Sequence, residues 1–260
     1  MSVSHPARTS HSSTASLQNP GDTALDIHQV CFSYGNRQAL DDVSIRIDAG
    51  ERVMLLGANG AGKSTLFSLI CGLFAADSGR ISINGKQILR GAAALAPLGI
   101  VFQSQTLDLD LSVEQNLAYF CALHGIERKT ARQRIELALQ RLDLLDRRYH
   151  KVRTLNGGHR RRVEIARATL HEPGILLLDE PTVGLDIPTR TELIAYIREL
   201  PDTLGCAVLW ATHLIDEIHE NDRVLMLHQG RVHHDGPSQR LCHSAEVTDL
   251  SELMHQVMHP

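Results

Sequence analysis

The chain has 260 residues, 43% of them apolar and 22% charged, with 19 glycines and 26 basic side chains against 30 acidic for a net charge of −4. That length allows one large domain or two small ones, and the composition excludes a wholly disordered or fibrous chain. The acidic balance gives no global reason to hold nucleic acid, no run approaches the roughly 18 apolar residues of a membrane span, and no apolar leader marks a cleaved secretion signal.

Residues 1–23 hold six serines, three threonines and two prolines with few large apolar groups, which predicts a disordered tail unable to offset its ordering entropy. From residue 24 the pattern changes. Short β-type runs occupy 26–32, 43–47 (VSIRI), 52–56 (RVMLL) and 80–84, and further runs occur at 99–102 (GIVF), 174–178 (GILLL) and 206–211 (CAVLWA). The last three are continuously apolar, as strands buried on both faces of a parallel sheet are, and helical segments lie between them, so the order predicts an α/β fold. Over 112–147, Ile135, Leu139, Leu142 and Leu145 form a helical stripe amid Arg132, Arg134, Glu136 and Arg141. This reads as a helical subdomain of about 106–155 inserted into an α/β domain of 24–236. Val247, Leu250, Leu253, Met254 and Val257 predict a helix in a C-terminal extension, 237–260, that packs on the core, with partner binding as the alternative. The five cysteines (31, 71, 121, 206, 242) form no CxxC pair and read as free thiols. His228, His233 and His234 near Asp235 match no zinc spacing, and neighbours in a strand point to opposite faces.

The strongest local signal is GANGAGKST, Gly57 to Thr65, between the strand RVMLL and the helical run FSLICGL. Gly57, Gly60 and Gly62 allow a tight turn that aims successive N–H groups inward, and the following helix points its positive end at the same place. Asn59, Gly60, Ala61, Gly62, Lys63, Ser64 and Thr65 form the candidate phosphate cradle. Lys63 supplies a charge for the β- and γ-phosphates, and the Ser64 hydroxyl is placed to ligate Mg²⁺. GILLLDEP ends a buried strand in two carboxylates. Asp179 is the candidate Mg²⁺ holder, directly or through water, and Glu180 is left to polarise an attacking water. A chance glycine turn and a solvated strand end are the bland alternatives, and the strand–loop–helix context argues against both.

Together these motifs resemble the ATPase subunit of an ATP-binding-cassette (ABC) transporter over nearly the whole folded part of the chain. SYG carries Tyr34 where that family stacks an aromatic ring on adenine. VFQ carries Gln103, similar to the glutamine that touches Mg²⁺ and the membrane partner. LNGGH, 155–159, resembles the family signature, and GLD ends in Asp186, similar to the loop that crosses the dimer interface. ATH carries His213, similar to the switch histidine on the γ-phosphate. The resemblance implies a P-loop NTPase (RecA-like) core with an antiparallel β portion and an inserted helical subdomain. It also implies Mg²⁺-dependent ATP hydrolysis by Lys63, Gln103, Glu180 and His213, with Ser64, Gln103 and Asp179 around the metal. ATP would lie between one subunit's P-loop and the Asn156, Gly157, Gly158, His159 and Asp186 of a second nucleotide-binding subunit, a homodimer formed on ATP binding. The further implied partner is a separate transmembrane permease, which places the chain in the cytoplasm on the inner face of the cell membrane.

The signature departs from LSGGQ in two places. Asn156 replaces serine, and an amide still donates to phosphate. His159 replaces glutamine, either as a neutral polar substitute or as a group that makes closure pH-dependent. Arg160, Arg161, Arg162 and Arg167 read as solvated side chains with one or two packing contacts, the alternatives being orientation of the phosphate-binding helix or contact with anionic headgroups. LNGGHRRR and GLDIPTR are most similar to exporter-type ATPases, and the signature also resembles a subfamily linked to quinoprotein (pyrroloquinoline-quinone) alcohol catabolism. Two other readings stay open at this point: a soluble ABC ATPase acting on ribosomes or DNA, and a nucleotide-gated adaptor with little turnover. The single cassette and acidic charge weigh against the first, and the presence of Glu180 and His213 weighs against the second.

Overall fold

The computed structural model describes residues 22–88 and 95–259. The expected tail falls outside these residues except for Asp22 and Thr23, and Thr23 already opens the first strand. Two sheets form the body. Strands β1 (Thr23–Tyr34), β2 (Arg37–Asp48), β4 (Ser78–Ile83) and β5 (Lys86–Gln87) make an antiparallel sheet in the order β2-β1-β4-β5. Strands β3 (Arg52–Leu56), β6 (Leu98–Val101), β7 (Ile175–Asp179), β8 (Ala207–Thr212), β9 (Arg223–His228) and β10 (Arg231–Pro237) make the second, in the order β10-β9-β3-β8-β7-β6. All its pairings are parallel except β9–β10.

The continuous apolar runs have a direct physical reading. Successive side chains point to opposite faces of a strand, and here both faces are covered. Met54, Leu56, Leu176, Leu178, Val208 and Trp210 enter one core, shared with the helical side of the molecule. Val53, Leu55, Ile175, Leu177, Ala207 and Leu209 enter a second core, closed by the antiparallel sheet and helix α1 (Lys63–Ile70). Each fully buried Leu or Ile contributes about 2 kcal/mol, so β7 and β8 hold the centre. Strand β9 was not anticipated, although its four central residues are also buried.

The insert holds α2 (Val113–Leu123) and α3 (Arg128–Arg141), packed on α4 (Gly157–Thr169). Helix α2 begins where it does because Ser112 Oγ accepts from Gln115 N at 3.1 Å while Gln115 Oε1 accepts from Ser112 N at 2.8 Å, a reciprocal cap. The predicted stripe holds at Ile135, Leu139 and Leu142 but fails at Leu145, which is exposed. Asp143 adopts φ +53° and Leu144 N donates to Leu139 O at 2.8 Å, so a Schellman turn ends α3 and puts Leu144 into the core instead. After β10 come α6 (Ser238–Ser244) and α7 (Leu250–Met258). Leu250 and Leu253 are buried in the helical-side core, and Val247, Met254 and Val257 pack against it. Helix α5 (Ile187–Leu204) completes the set described. Cys71, Cys121 and Cys206 are buried, Cys31 and Cys242 half-buried, and all five are free.

Candidate functional site

Parallel register brings the chemistry to one edge. Leu56 pairs with Thr212, and Asp179 pairs with Ala211, so Gly57, Glu180 and His213 all follow strands that end in line. There a cleft of about 870 Å³ opens, lined among others by Tyr34, Asn59, Gly60, Lys63, Gln103, Glu180 and His213.

The loop from Gly57 to Gly62 has its composition for steric reasons. A Cβ on Gly57 would lie 2.5 Å from Leu227 O, and Gly62, at φ +113°, would place one 2.8 Å from Ala39 O. Gly62 caps α1, so the helix starts at Lys63 with its positive end at the loop. Lys63 is 6% exposed. Its Nζ donates to Gly57 O at 2.6 Å and Ala58 O at 3.3 Å and lies 3.9 Å from Glu180 Oε1. Burial lowers the pKa of this ammonium, against the pull of Glu180 and Asp179. Gly62, Ser64 and Thr65 line the cleft with Asn59 and Gly60, whereas Ala61 is buried beneath them and its N–H donates to Ala58 O at 3.1 Å.

Glu180 gathers three of the predicted residues. Oε1 meets His213 Nδ1 at 2.8 Å, Oε2 accepts from Gln103 Nε2 at 3.0 Å, and Lys63 stands beyond. Glu180 itself sits at φ +49°, an uncommon conformation for a side chain of this size, and its N–H donates to Ala211 O at 2.9 Å. The sheet thus fixes a turn that aims the carboxylate into the cleft. His213 uses Nδ1 on Glu180, which leaves Nε2 for any phosphate contact.

Asp179 lies behind the cleft and accepts from Ser64 Oγ at 3.2 Å. Burial raises the pKa of its carboxyl above the usual carboxylate range, while the Ser64 hydroxyl and Lys63 pull it down and Glu180 pushes it up. A buried carboxylate of this kind, a serine hydroxyl and the Gln103 Oε1 left by the bond to Glu180 make a hard oxygen donor set that suits Mg²⁺.

Tyr34 ends β1 with its ring half in solvent, edge-on to Phe32 at 4.9 Å and to Phe74 at 5.8 Å. Arg37, Gln38, Ala39, Val183, Gln229 and Gly230 also line the cleft and were not anticipated. Arg37 had a signal, a basic residue one tight turn after Tyr34, but it has meaning only once β1 and β2 are paired.

Asn156, Gly157, Gly158, His159 and Asp186 do not line this cleft. They form a second surface. Asn156 Oδ1 accepts from His159 N at 2.8 Å, which caps α4 and leaves the Asn156 amide NH₂ and the first helical amides, Gly157 and Gly158, facing outward. Asp186 caps α5 in the same way, through Thr189 N at 3.0 Å, and the bonds from Thr189 hold its carboxyl below the ordinary value. The two helix starts adjoin, since a Cβ on Gly158 would lie 2.7 Å from Thr189 Cγ2. Of the arginines expected to be solvated, Arg162 is largely covered and pairs with Glu192, and Arg161 is 7% exposed. At the far edge, Asp235 pairs with Arg223 at 2.7 Å, and the His228 and His233 rings are 5.7 Å apart.

Comparison with known proteins agrees with this geometry. An ABC transporter family model matches residues 40–183. The chain is 37% identical over 222 residues to the daunorubicin resistance ATP-binding protein DrrA3 of Streptomyces coeruleorubidus, covering 85% of this chain and 70% of that one. It is 34% identical over 213 residues to the spermidine/putrescine import ATP-binding protein PotA of Bacteroides fragilis, covering 82% of this chain but 46% of that protein, so it spans about half the length of such relatives. Among solved structures, a dimeric post-hydrolysis state of the ATP-binding cassette MJ0796 bound to ADP and Pi superposes with TM-score 0.72 at 28% identity, covering 82% of this chain and 98% of that one.

Proposed function

Because the chain belongs to the ABC transporter ATP-binding family, we propose that it is the subunit that binds and hydrolyses ATP to power transport, in the export direction, through a separate membrane-spanning partner. The observation that carries this is the division of the site. One chain offers a phosphate cradle with a base at its mouth on one surface, and outward helix-start amides with Asn156 and Asp186 on another. A nucleotide held in the cleft of one copy has its γ-phosphate covered only when a second copy brings its own α4. The dimeric form of the related cassette supports that pairing.

Within one copy, the Gly57–Thr65 amides and Lys63 bind the phosphates and Tyr34 stacks on the base. Gln103 and His213 hold the Glu180 carboxylate, which takes the proton of the attacking water as it adds to the γ-phosphorus and the bond to ADP breaks. Ser64, Asp179 and Gln103 would hold Mg²⁺, which when bound neutralises phosphate charge. Loss of the γ-phosphate removes the charge that joins the two surfaces, so the copies part, and closure and release bias the partner between two states. No helix among the described residues is long and apolar enough to cross a membrane. Export rests on the resemblance of LNGGHRRR and GLDIPTR to exporter-type ATPases, while the relatives include resistance and import ATP-binding proteins alike.

Lys63→Ala should weaken Mg·ATP binding by about 2 kcal/mol, roughly 30-fold, since one charge-assisted contact is lost. Titration with a fluorescent ATP analogue reads this, and normal affinity would remove Lys63 from the site. The function as a whole is tested by purification from detergent-solubilised membranes. Recovery with a multi-helix membrane protein is the expected result, and recovery only with ribosomes or DNA would overturn it.

A further inference from the structure

Arg161 and Glu164 are charged residues on the inner face of α4, 7% and 1% exposed. Neither faces the cleft. Burial lowers the pKa of the Arg161 guanidinium, with Glu164 and Asp179 opposing, so a charge here is costly unless its donors are used. They are. Arg161 Nη1 donates to Phe102 O at 2.7 Å and to Glu164 Oε2 at 3.0 Å, and Nη2 donates to Gln103 O at 3.2 Å. Glu164 Oε1 accepts from Thr106 N at 2.8 Å, and Arg167 Nη1 donates to Thr106 O at 3.0 Å. Three side chains, three residues apart on one helix face, thereby hold both ends of the Phe102–Thr106 backbone. The second residue of that segment, Gln103, donates its side-chain amide to Glu180. Arg161 lies one helical turn, about 5.4 Å, from the outward amides of Gly157 and Gly158.

We propose that the Arg161–Glu164 pair is a positioning clamp, which fastens the backbone of Phe102–Thr106 to α4 so that Gln103 is held on Glu180 and follows any displacement of the α4 N-terminus. This rests on the reading of Glu180 as the hydrolytic carboxylate and of Gly157 and Gly158 as phosphate ligands. Arg161 does not line the cleft. It acts through Gln103, and its fork of donors is what reaches two successive carbonyls. A lysine ammonium reaches one at a time.

The test is a double-mutant cycle on ATP turnover with the full chain. Arg161→Met should lower kcat about tenfold, as expected for a displaced catalytic group, with KM for ATP changed less than about threefold. Arg161→Lys should recover part of that loss. In a Gln103→Ala background the Arg161→Met loss should vanish, because the clamp then has nothing to position. Additive losses, or an unchanged kcat in Arg161→Met, would overturn the clamp. Amide hydrogen exchange gives a readout independent of turnover. Exchange across 102–106 should accelerate in Arg161→Met and in the milder Glu164→Gln, while 57–65 stays at the wild-type rate. Unchanged exchange at 102–106 would also overturn it. A wild type that binds but does not hydrolyse ATP would instead defeat the function proposed above and leave the exchange result to decide the clamp.

Discussion

Replacing Glu180 by glutamine should lower the ATP turnover rate by about 10²–10⁴-fold while leaving ATP affinity within a few-fold of wild type. The reason lies in the bonding of that carboxylate. It is 7% exposed, held by His213 at 2.8 Å and Gln103 at 3.0 Å, and aimed by a backbone turn at φ +49°. Glutamine has the same shape and keeps an oxygen for the Gln103 amide, so the turn and the cleft survive. What it lacks is a site that accepts a proton from water. Single-turnover and steady-state assays should agree, because the loss is in the chemical step. The same variant, saturated with Mg·ATP, should accumulate as a dimer by light scattering, since the γ-phosphate that bridges two copies is no longer removed. Equal turnover in variant and wild type would leave only the nucleotide-gated adaptor.

That experiment also separates what the sequence could show from what it could not. Glu180 was legible because four apolar residues precede the Asp179–Glu180 pair, and a strand buried on both faces must end where its ligand crevice begins. The Gly57–Thr65 loop was legible because its glycines have no substitute at such approaches to Leu227 and Ala39. Strand β9 was not, since its apolar run follows a charged segment and its meaning depends on pairing with β3, 170 residues earlier in the chain. Leu144 and Leu145 exchanged roles because the helical period stops at a turn that carries no glycine. The arginines 160–162 read as solvated with one or two packing contacts, and which of them pack is set by what α4 lies against. Only the fold brings Phe102 and Gln103 within reach of Arg161. His213 was read as a phosphate contact, and the structure adds its bond to Glu180, which no local pattern encodes. Gln229 and Gly230 line the cleft through a hairpin turn remote in sequence from every motif.

The largest effect on stability is expected at the opposite end of the same sheet. Asp222, 3% exposed, accepts from Arg52 Nη2 at 2.8 Å, Arg198 Nη2 at 2.5 Å and His219 N at 2.8 Å. Arg52 also donates to Arg198 O at 3.1 Å, and Arg198 to Glu217 O at 3.1 Å, so one carboxylate ties β3, α5 and the segment after His213. Burial alone would raise the Asp222 pKa. The bonds from Arg198 and Arg52 outweigh it and bring the pKa below the ordinary value. Asp222→Ala should cost about 3 kcal/mol in urea unfolding, the low end for a broken buried pair because both arginines keep some water. Asp222→Asn keeps the shape and should cost less. With a folded-state pKa below the unfolded one, the stabilisation is complete above the unfolded value, near 3.9, and is lost as pH falls through the folded one. The gap between wild type and Asp222→Asn should therefore be full at about pH 7 and narrow below about pH 4. A gap independent of pH would mean that Asp222 contributes shape alone. Arg52 opens β3 and Gly57 follows its end, about 16 Å away along the strand. At that distance, turnover per folded molecule at 25 °C should stay near wild type in Asp222→Ala, so the loss separates into stability, in contrast to the loss at Glu180.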